Sequence, residues 1–206
     1  MKGLIIFTFS AFALVSCVQN TGTDNSISLS DIDSSEVLVD TSSTSSSLGI
    51  WSISNYVDEF GEPSKIEFIM GMTQGTFSNS ATENSELDVK FLIDSRSEIS
   101  IQLYEYAGDN PVKSGISEDY RIKIKSADGS TATLSAYNGS DRLVLDKKDS
   151  RTLSSFLLKG GSLAFYIVNL SEYTSSSYRF EITDTSGFDE ALKLLSENKN
   201  LKNPNA

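Results

Sequence analysis

The feature that most narrows the fold is a run of strict alternation followed by two turn dipeptides. Tyr120, Ile122 and Ile124 alternate with Arg121, Lys123 and Lys125, and Asp128-Gly129 and Asn138-Gly139 come after them. A period of two puts successive side chains on opposite faces, one dry and one wet, as in an antiparallel sheet packed on one side. Asp-Gly and Asn-Gly suit a two-residue type I′ turn, whose central residues both need positive φ. Residues 120–126, 131–137 and 143–146 are therefore expected to be successive strands of a meander, turning at those two dipeptides.

The same texture runs through the flanking sequence. Trp51 and Ile53 alternate within 49–56, and Ile66, Phe68 and Met70 alternate next. Gly75-Thr76-Phe77-Ser78 reads as a further short segment. Leu87, Val89, Phe91 and Ile93 repeat the pattern, as do Ile99, Ile101 and Leu103, and 163–168 and 178–182 also read as strands. Two helices interrupt them. After Ser150, residues Leu153, Phe156 and Leu157 fall at i, i+3 and i+4. Phe188, Ala191, Leu192 and Leu195 make the apolar face of the second, with Thr185 or Ser186 as its cap and Asp189 and Glu190 in its first turn. About nine or ten short strands with two short helices, one C-terminal, imply a mainly β fold, an antiparallel β-sandwich or an open barrel. The last helix is expected to plug an end or cover an open edge that would otherwise invite aggregation. The folded domain is expected over 48–196, with a polar tail at 197–206.

The N-terminal sequence has another character. Lys2 precedes Ile5, Ile6, Phe7, Phe9, Phe12, Ala13 and Leu14, and the run ends Leu14-Val15-Ser16-Cys17. It is shorter than the ~20 apolar residues a helix needs to cross a bilayer. A short apolar segment with a small residue before the cut is a secretory signal. With Cys next, it looks like a bacterial lipobox: 1–16 as a lipoprotein signal peptide, cleavage between Ser16 and Cys17, and lipid (diacylglyceryl and fatty acyl, such as palmitate) on Cys17. Two or more acyl chains hold a protein stably on a membrane. Residues 17–47 are rich in Ser and Thr and lack the apolar content to offset the entropy of ordering. Such a disordered tether of roughly thirty residues would reach ~30 Å from the lipid surface. The expected location is the bacterial cell envelope, at the outer membrane or cell surface rather than the inner membrane.

Composition removes whole classes of chemistry. The chain has no His and a single Cys. That excludes Ser-His-Asp and Cys-His catalysis, and zinc sites built on His and Cys. No Gly-rich phosphate loop, dinucleotide fingerprint or metal-ligand spacing occurs. No catalytic residue, metal or cofactor is expected, and the protein is expected not to be an enzyme. The net charge is −11, and losing Lys2 with the signal makes it −12. Such a chain repels nucleic acid and anionic headgroups, so no nucleic-acid partner is expected.

Three groups of residues remain as candidates. Asp58, Glu59 and Glu62 surround Phe60-Gly61, and glycoside hydrolysis needs only two carboxylates; the Gly and Pro punctuation also fits a plain turn between strands. Trp51, Tyr104 and Tyr106 are candidate ligand contacts, with Tyr173, because aromatic rings stack on sugar faces. For Trp51, the alternation with Ile53 makes a core position the default. The Arg121, Lys123, Lys125 stripe is either a solvated face or a docking patch for an acidic partner.

The order of motifs resembles an uncharacterised family of exported bacterial β-sandwich lipoproteins. The matching residues are Trp51, the Asp58-Glu59-Phe60-Gly61-Glu62-Pro63 turn, the Gly-x-Phe-Ser-Asn-Ser-Ala-Thr run at 75–82, Asn84 to Leu87, Ser-Ser-Tyr-Arg-Phe at 176–180, and Gly-Phe-x-x-Ala-Leu at 187–192. More weakly, the order of Trp, paired strands and closing helix is similar to type VI secretion-associated periplasmic proteins, which carry cysteines this chain lacks. Neither resemblance implies a catalytic residue; the first implies an accessory or binding role. The expectation is a monomeric, lipid-anchored envelope protein. Its one β-rich domain is a binding module for an envelope protein or a glycan, or alternatively a carbohydrate-binding or glycan-hydrolysing module.

Overall fold

A computed structural model describes residues 48–113, 118–170 and 175–202, with side chains as far as residue 198. Nine strands and two helices follow in the order β1 (Trp51–Val57), β2 (Pro63–Ser78), β3 (Ser85–Asp94), β4 (Ile99–Tyr104), β5 (Asp119–Ser126), β6 (Thr131–Gly139), β7 (Arg142–Leu145), α1 (Lys147–Leu157), β8 (Leu163–Asn169), β9 (Ser177–Ile182) and α2 (Phe188–Lys202). Every pairing is antiparallel, in the order β1-β2-β3-β4-β7-β6-β5-β8-β9, and β9 pairs back onto β2. Eight strands thus form a barrel with β1 outside it. Of the two expected architectures the protein takes the barrel, and it closes it.

Closure depends on the length of β2. Residues 66–70 and 75–78, which read as two segments, lie on one strand of 16 residues. Its first part pairs with β1, from Trp51↔Gly71 to Val57↔Pro63. Its last part, Gly75 to Ser78, pairs with β9. Two glycines allow the change of partner. A Cβ on Gly71 would lie 2.4 Å from the Trp51 ring, and one on Gly75 would lie 2.2 Å from the Arg179 carbonyl oxygen and 2.5 Å from Phe180 Cβ.

The hairpins form where expected, but neither turn is type I′. Between β5 and β6 only Gly129 has positive φ, and its N–H donates to the Ser126 carbonyl at 2.9 Å. That is a three-residue loop closed by a glycine bulge, the next commonest hairpin connection. Between β6 and β7 the turn lies at Ser140-Asp141, two residues beyond Asn138-Gly139, with Ser140 at positive φ and Gly139 paired to Arg142. Asn138 is instead used in tertiary contacts: its side chain donates to the Lys113 carbonyl and accepts from the Glu118 N–H. These distant partners override the local turn preference.

The inward faces make one core, including Ile69, Phe77, Leu87, Val89, Phe91, Ile101, Leu134, Phe165 and Phe180. Each such buried side chain contributes about 1.5–3 kcal/mol. Helix α1 starts three residues before Ser150, because Asp146 caps it by accepting from the Asp149 N–H at 2.7 Å. Ser150 is buried within it and accepts from the Ile99 N–H. Helix α2 packs against β1 and β2 and runs past residue 196 to Lys202. Neither expected cap is used by its side chain. The Thr185 hydroxyl is buried without a hydrogen bond, and Ser186 Oγ donates to Asp184. Backbone carbonyls of Thr185 and Gly187 take the Phe188 and Ala191 N–H groups instead.

Candidate ligand groove

Trp51, the first candidate contact, is not on the surface. It is 3% exposed, its ring lies 4.9 Å from Phe188 and 6.2 Å from Phe91, and its Nε1 donates to the Thr185 carbonyl. The indole joins α2 to the barrel, so it takes the core position and is closed to any ligand. The acidic turn is equally plain. Asp58 accepts from the Phe60 and Glu62 N–H groups, and Gly61 at positive φ closes the reversal. Asp58, Glu59 and Glu62 form the β1–β2 hairpin tip and take no part in the groove described next. Ser16, Cys17 and Tyr173 lie outside the described residues.

Tyr104 and Tyr106 do come together at a site. They border a groove of about 820 Å³ on the outside of the barrel, with Gln74, Glu86, Asp88 and Glu105 among its other lining residues. The β register builds one wall: Gln74 pairs with Asp88, and Asp88 with Tyr104, so the three share an outward row. Gln74 Nε2 donates to Asp88 Oδ1 at 2.9 Å. The Tyr104 hydroxyl donates to Gln102 Oε1 at 3.0 Å, and Lys90 Nζ lies 5.4 Å from its ring centre. These contacts hold the ring in place.

A tight reversal after β4 builds the other wall. Ala107 and Gly108 both have positive φ, the Gly108 N–H donates to the Glu105 carbonyl, and the Glu105 N–H donates to the Asp109 carbonyl. This places Tyr106 at the rim, 54% exposed, its ring edge-to-face on Phe77 at 4.9 Å. Its hydroxyl reaches Ser85 Oγ, which is itself bonded to Thr82 Oγ1. An exposed ring fixed on two sides can meet a flat apolar surface with little loss of rotamer freedom.

Glu105 connects the groove to the barrel interior. Its Oε1 accepts from the Tyr178 hydroxyl at 3.1 Å. Burial pushes its carboxyl above the ordinary glutamate value, while the Tyr178 hydrogen bond pulls the other way. Nearby, Glu118 Oε2 accepts from the Tyr120 hydroxyl at 2.9 Å and from Asn169 Nδ2 at 2.8 Å. Burial, reinforced by these carboxylates, holds both tyrosine hydroxyls far above the ordinary tyrosine value, so both remain donors. The alternation placed Tyr120 inward, and 178–182 read as a strand, but neither pattern identified the partners of the two hydroxyls. A tyrosine at a core position needs a partner for its hydroxyl, and that was the available signal for Glu105 and Glu118.

The groove carries three carboxylates, two amides and two phenols, with no Lys or Arg among the described residues that line it. Among the described residues no three acids converge in a way that could hold a metal ion, and no helix is long and apolar enough to cross a membrane. No protein-family model, curated protein or solved structure matches the chain.

Proposed function

We propose that this is a lipid-anchored bacterial envelope protein whose barrel is a non-catalytic binding module, with the Tyr104–Tyr106 groove as its ligand site. The observation that carries the reading is the groove itself: an exposed, fixed aromatic ring beside hydrogen-bonding side chains in a concavity of about 820 Å³. Preformed concave sites with a few convergent polar groups are where proteins hold small ligands. The anchor rests on the Leu14-Val15-Ser16-Cys17 sequence. Cys17→Ser should release the protein from membranes or leave an uncleaved precursor. Unchanged membrane association with no acyl mass on Cys17 would refute the anchor.

A carbohydrate ligand is the second reading, favoured by the chemistry of the lining. Carboxylates and two amides accept from and donate to sugar hydroxyls, and a tyrosine ring offers a stacking face. Glycan-array binding by the full chain, weakened at least tenfold by Tyr106→Ala (~1.4 kcal/mol), would support it. A signal from neutral glycans indifferent to Tyr106 would refute the groove as the glycan site. A protein ligand would appear instead as an envelope partner whose capture depends on Tyr106.

A further inference from the structure

The Arg121, Lys123, Lys125 stripe lies on the outer face of β5, away from the Tyr104–Tyr106 groove, and its cross-strand neighbours make it more than a solvated edge. The register generates three rows. The central row is Thr133, Lys123, Tyr166, Arg179; beside it lie Thr131, Lys125, Ala164, Glu181 and Ser135, Arg121, Val168, Ser177. Four cations thus occupy one face of a chain whose net charge is −11. Among the described residues, the acids on or beside this face are Glu181, in the Ala164 row, Asp119, which heads the stripe, and Asp149, which accepts from the Ser135 N–H. Among the described residues, none of the four cations forms an ion pair. Arg179 lies over the Tyr166 ring at 4.8 Å. The small Ala164 leaves a depression of about 440 Å³ lined by Lys123, Lys125, Tyr166, Thr131 and Thr133.

From this arrangement we infer that the β6-β5-β8-β9 face docks a linear anionic glycan, a chain bearing carboxylates of the uronate type. Successive cations on β5 stand about 6.7 Å apart, twice the rise per strand residue. They form a line that a single polymer chain can follow. Threonine hydroxyls bordering the depression supply the hydrogen bonds a sugar needs, and the Tyr166 ring, one face of which carries Arg179, adds apolar surface beside them. Strand addition by a peptide has no edge to use here, because β5 and β8 are paired on both sides. A membrane surface fits less well: among the described residues the three rows hold none of the large exposed apolar side chains, Tyr137 lying one row beyond, opposite Asp119, and surface-seated segments bury an apolar face as well as presenting charge.

The test is binding of the full chain to polygalacturonate at low salt, with dextran, poly-glutamate and vesicles containing anionic phosphatidylglycerol as competing probes. Polygalacturonate should bind, dextran should not, and added salt should weaken the interaction by screening. Lys123→Gln with Lys125→Gln should lower affinity about tenfold or more, as for the loss of two charge-assisted contacts. Lys65→Gln, an exposed cation on β2 outside these rows, should leave it unchanged, which separates this face from loss of positive charge elsewhere. Arg121→Gln with Arg179→Gln is an independent pair should the first variant unfold. Absence of polygalacturonate binding, equal binding to poly-glutamate, binding to vesicles alone, or affinity unaffected in folded variants would each overturn the proposal.

Discussion

Gly75→Ala tests how the barrel closes. At an ordinary strand position, alanine in place of glycine restrains the unfolded chain and stabilises by about 0.5–1 kcal/mol. Gly75 is not at positive φ, so no backbone strain opposes that gain. The opposition is steric. The new Cβ would sit 2.2 Å from the Arg179 carbonyl oxygen and 2.5 Å from Phe180 Cβ. Neither is the end of a flexible side chain, so β2 and β9 must move apart where Gly75 meets Phe180. Overpacking of this kind costs about 1–3 kcal/mol, and weakening the adjoining ladder bonds adds about 1 kcal/mol each. The net expectation is a loss of about 2–4 kcal/mol, or roughly 5–15 °C in Tm for a domain of this size. Thermal unfolding followed by circular dichroism and by the fluorescence of Trp51, the only tryptophan, measures it directly. Gly139→Ala is the comparison, because its new Cβ meets only Val144 Cγ2 that closely, at 2.6 Å, and that methyl can rotate away; its loss should stay below about 1 kcal/mol. A Gly75→Ala midpoint equal to or above the native one would refute closure through this contact.

The remaining expectations concern the carboxylates behind the groove. Tyr178→Phe removes the hydroxyl that donates to Glu105 and should cost about 1.5–3 kcal/mol in chemical denaturation, as for a hydrogen bond to a charged group; an unchanged midpoint would mean that the bond contributes nothing. Glu105 also sets a pH dependence. Its folded value is raised by burial, so the folded state holds the proton more tightly than the unfolded chain. The stability this contributes is complete below the ordinary glutamate value and is lost as pH rises through the raised one. Glu105→Gln does not titrate, so its Tm relative to the native protein should rise between about pH 4 and pH 7; a flat or falling difference would contradict the burial of this carboxyl.

Much of the architecture was legible from local pattern alone. The alternation at Tyr120–Lys125 identified β5 and the faces of its side chains, and the apolar spacing at Phe188–Leu195 identified α2. These features are local, because side-chain direction repeats every two residues in a strand and every 3.6 in a helix. Turn positions were less secure. Asn138-Gly139 satisfies a local preference, yet the chain turns at Ser140-Asp141 because Asn138 is held by Lys113 and Glu118.

The candidate site was legible only in part. Tyr104 and Tyr106 could be named from their position at and just beyond the end of β4, but nothing nearby in sequence announced Gln74 or Asp88 as their neighbours, or Tyr178 as the partner of Glu105. For Trp51 the alternation with Ile53 gave the core position that the ring takes, but not that Phe188 of α2, far along the chain, covers it. By itself, then, the sequence determined a β-rich chain with a helical end, no histidine, one cysteine and a basic stripe on β5. Tertiary structure decided that β2 leaves β1 to pair with β9, that the sheet closes into a barrel, and that two tyrosines meet carboxylates in one groove. The physical reason is range: periodicity is written into consecutive residues, whereas closure and convergence depend on long-range pairings such as Gly75↔Phe180 and on the absence of a single Cβ.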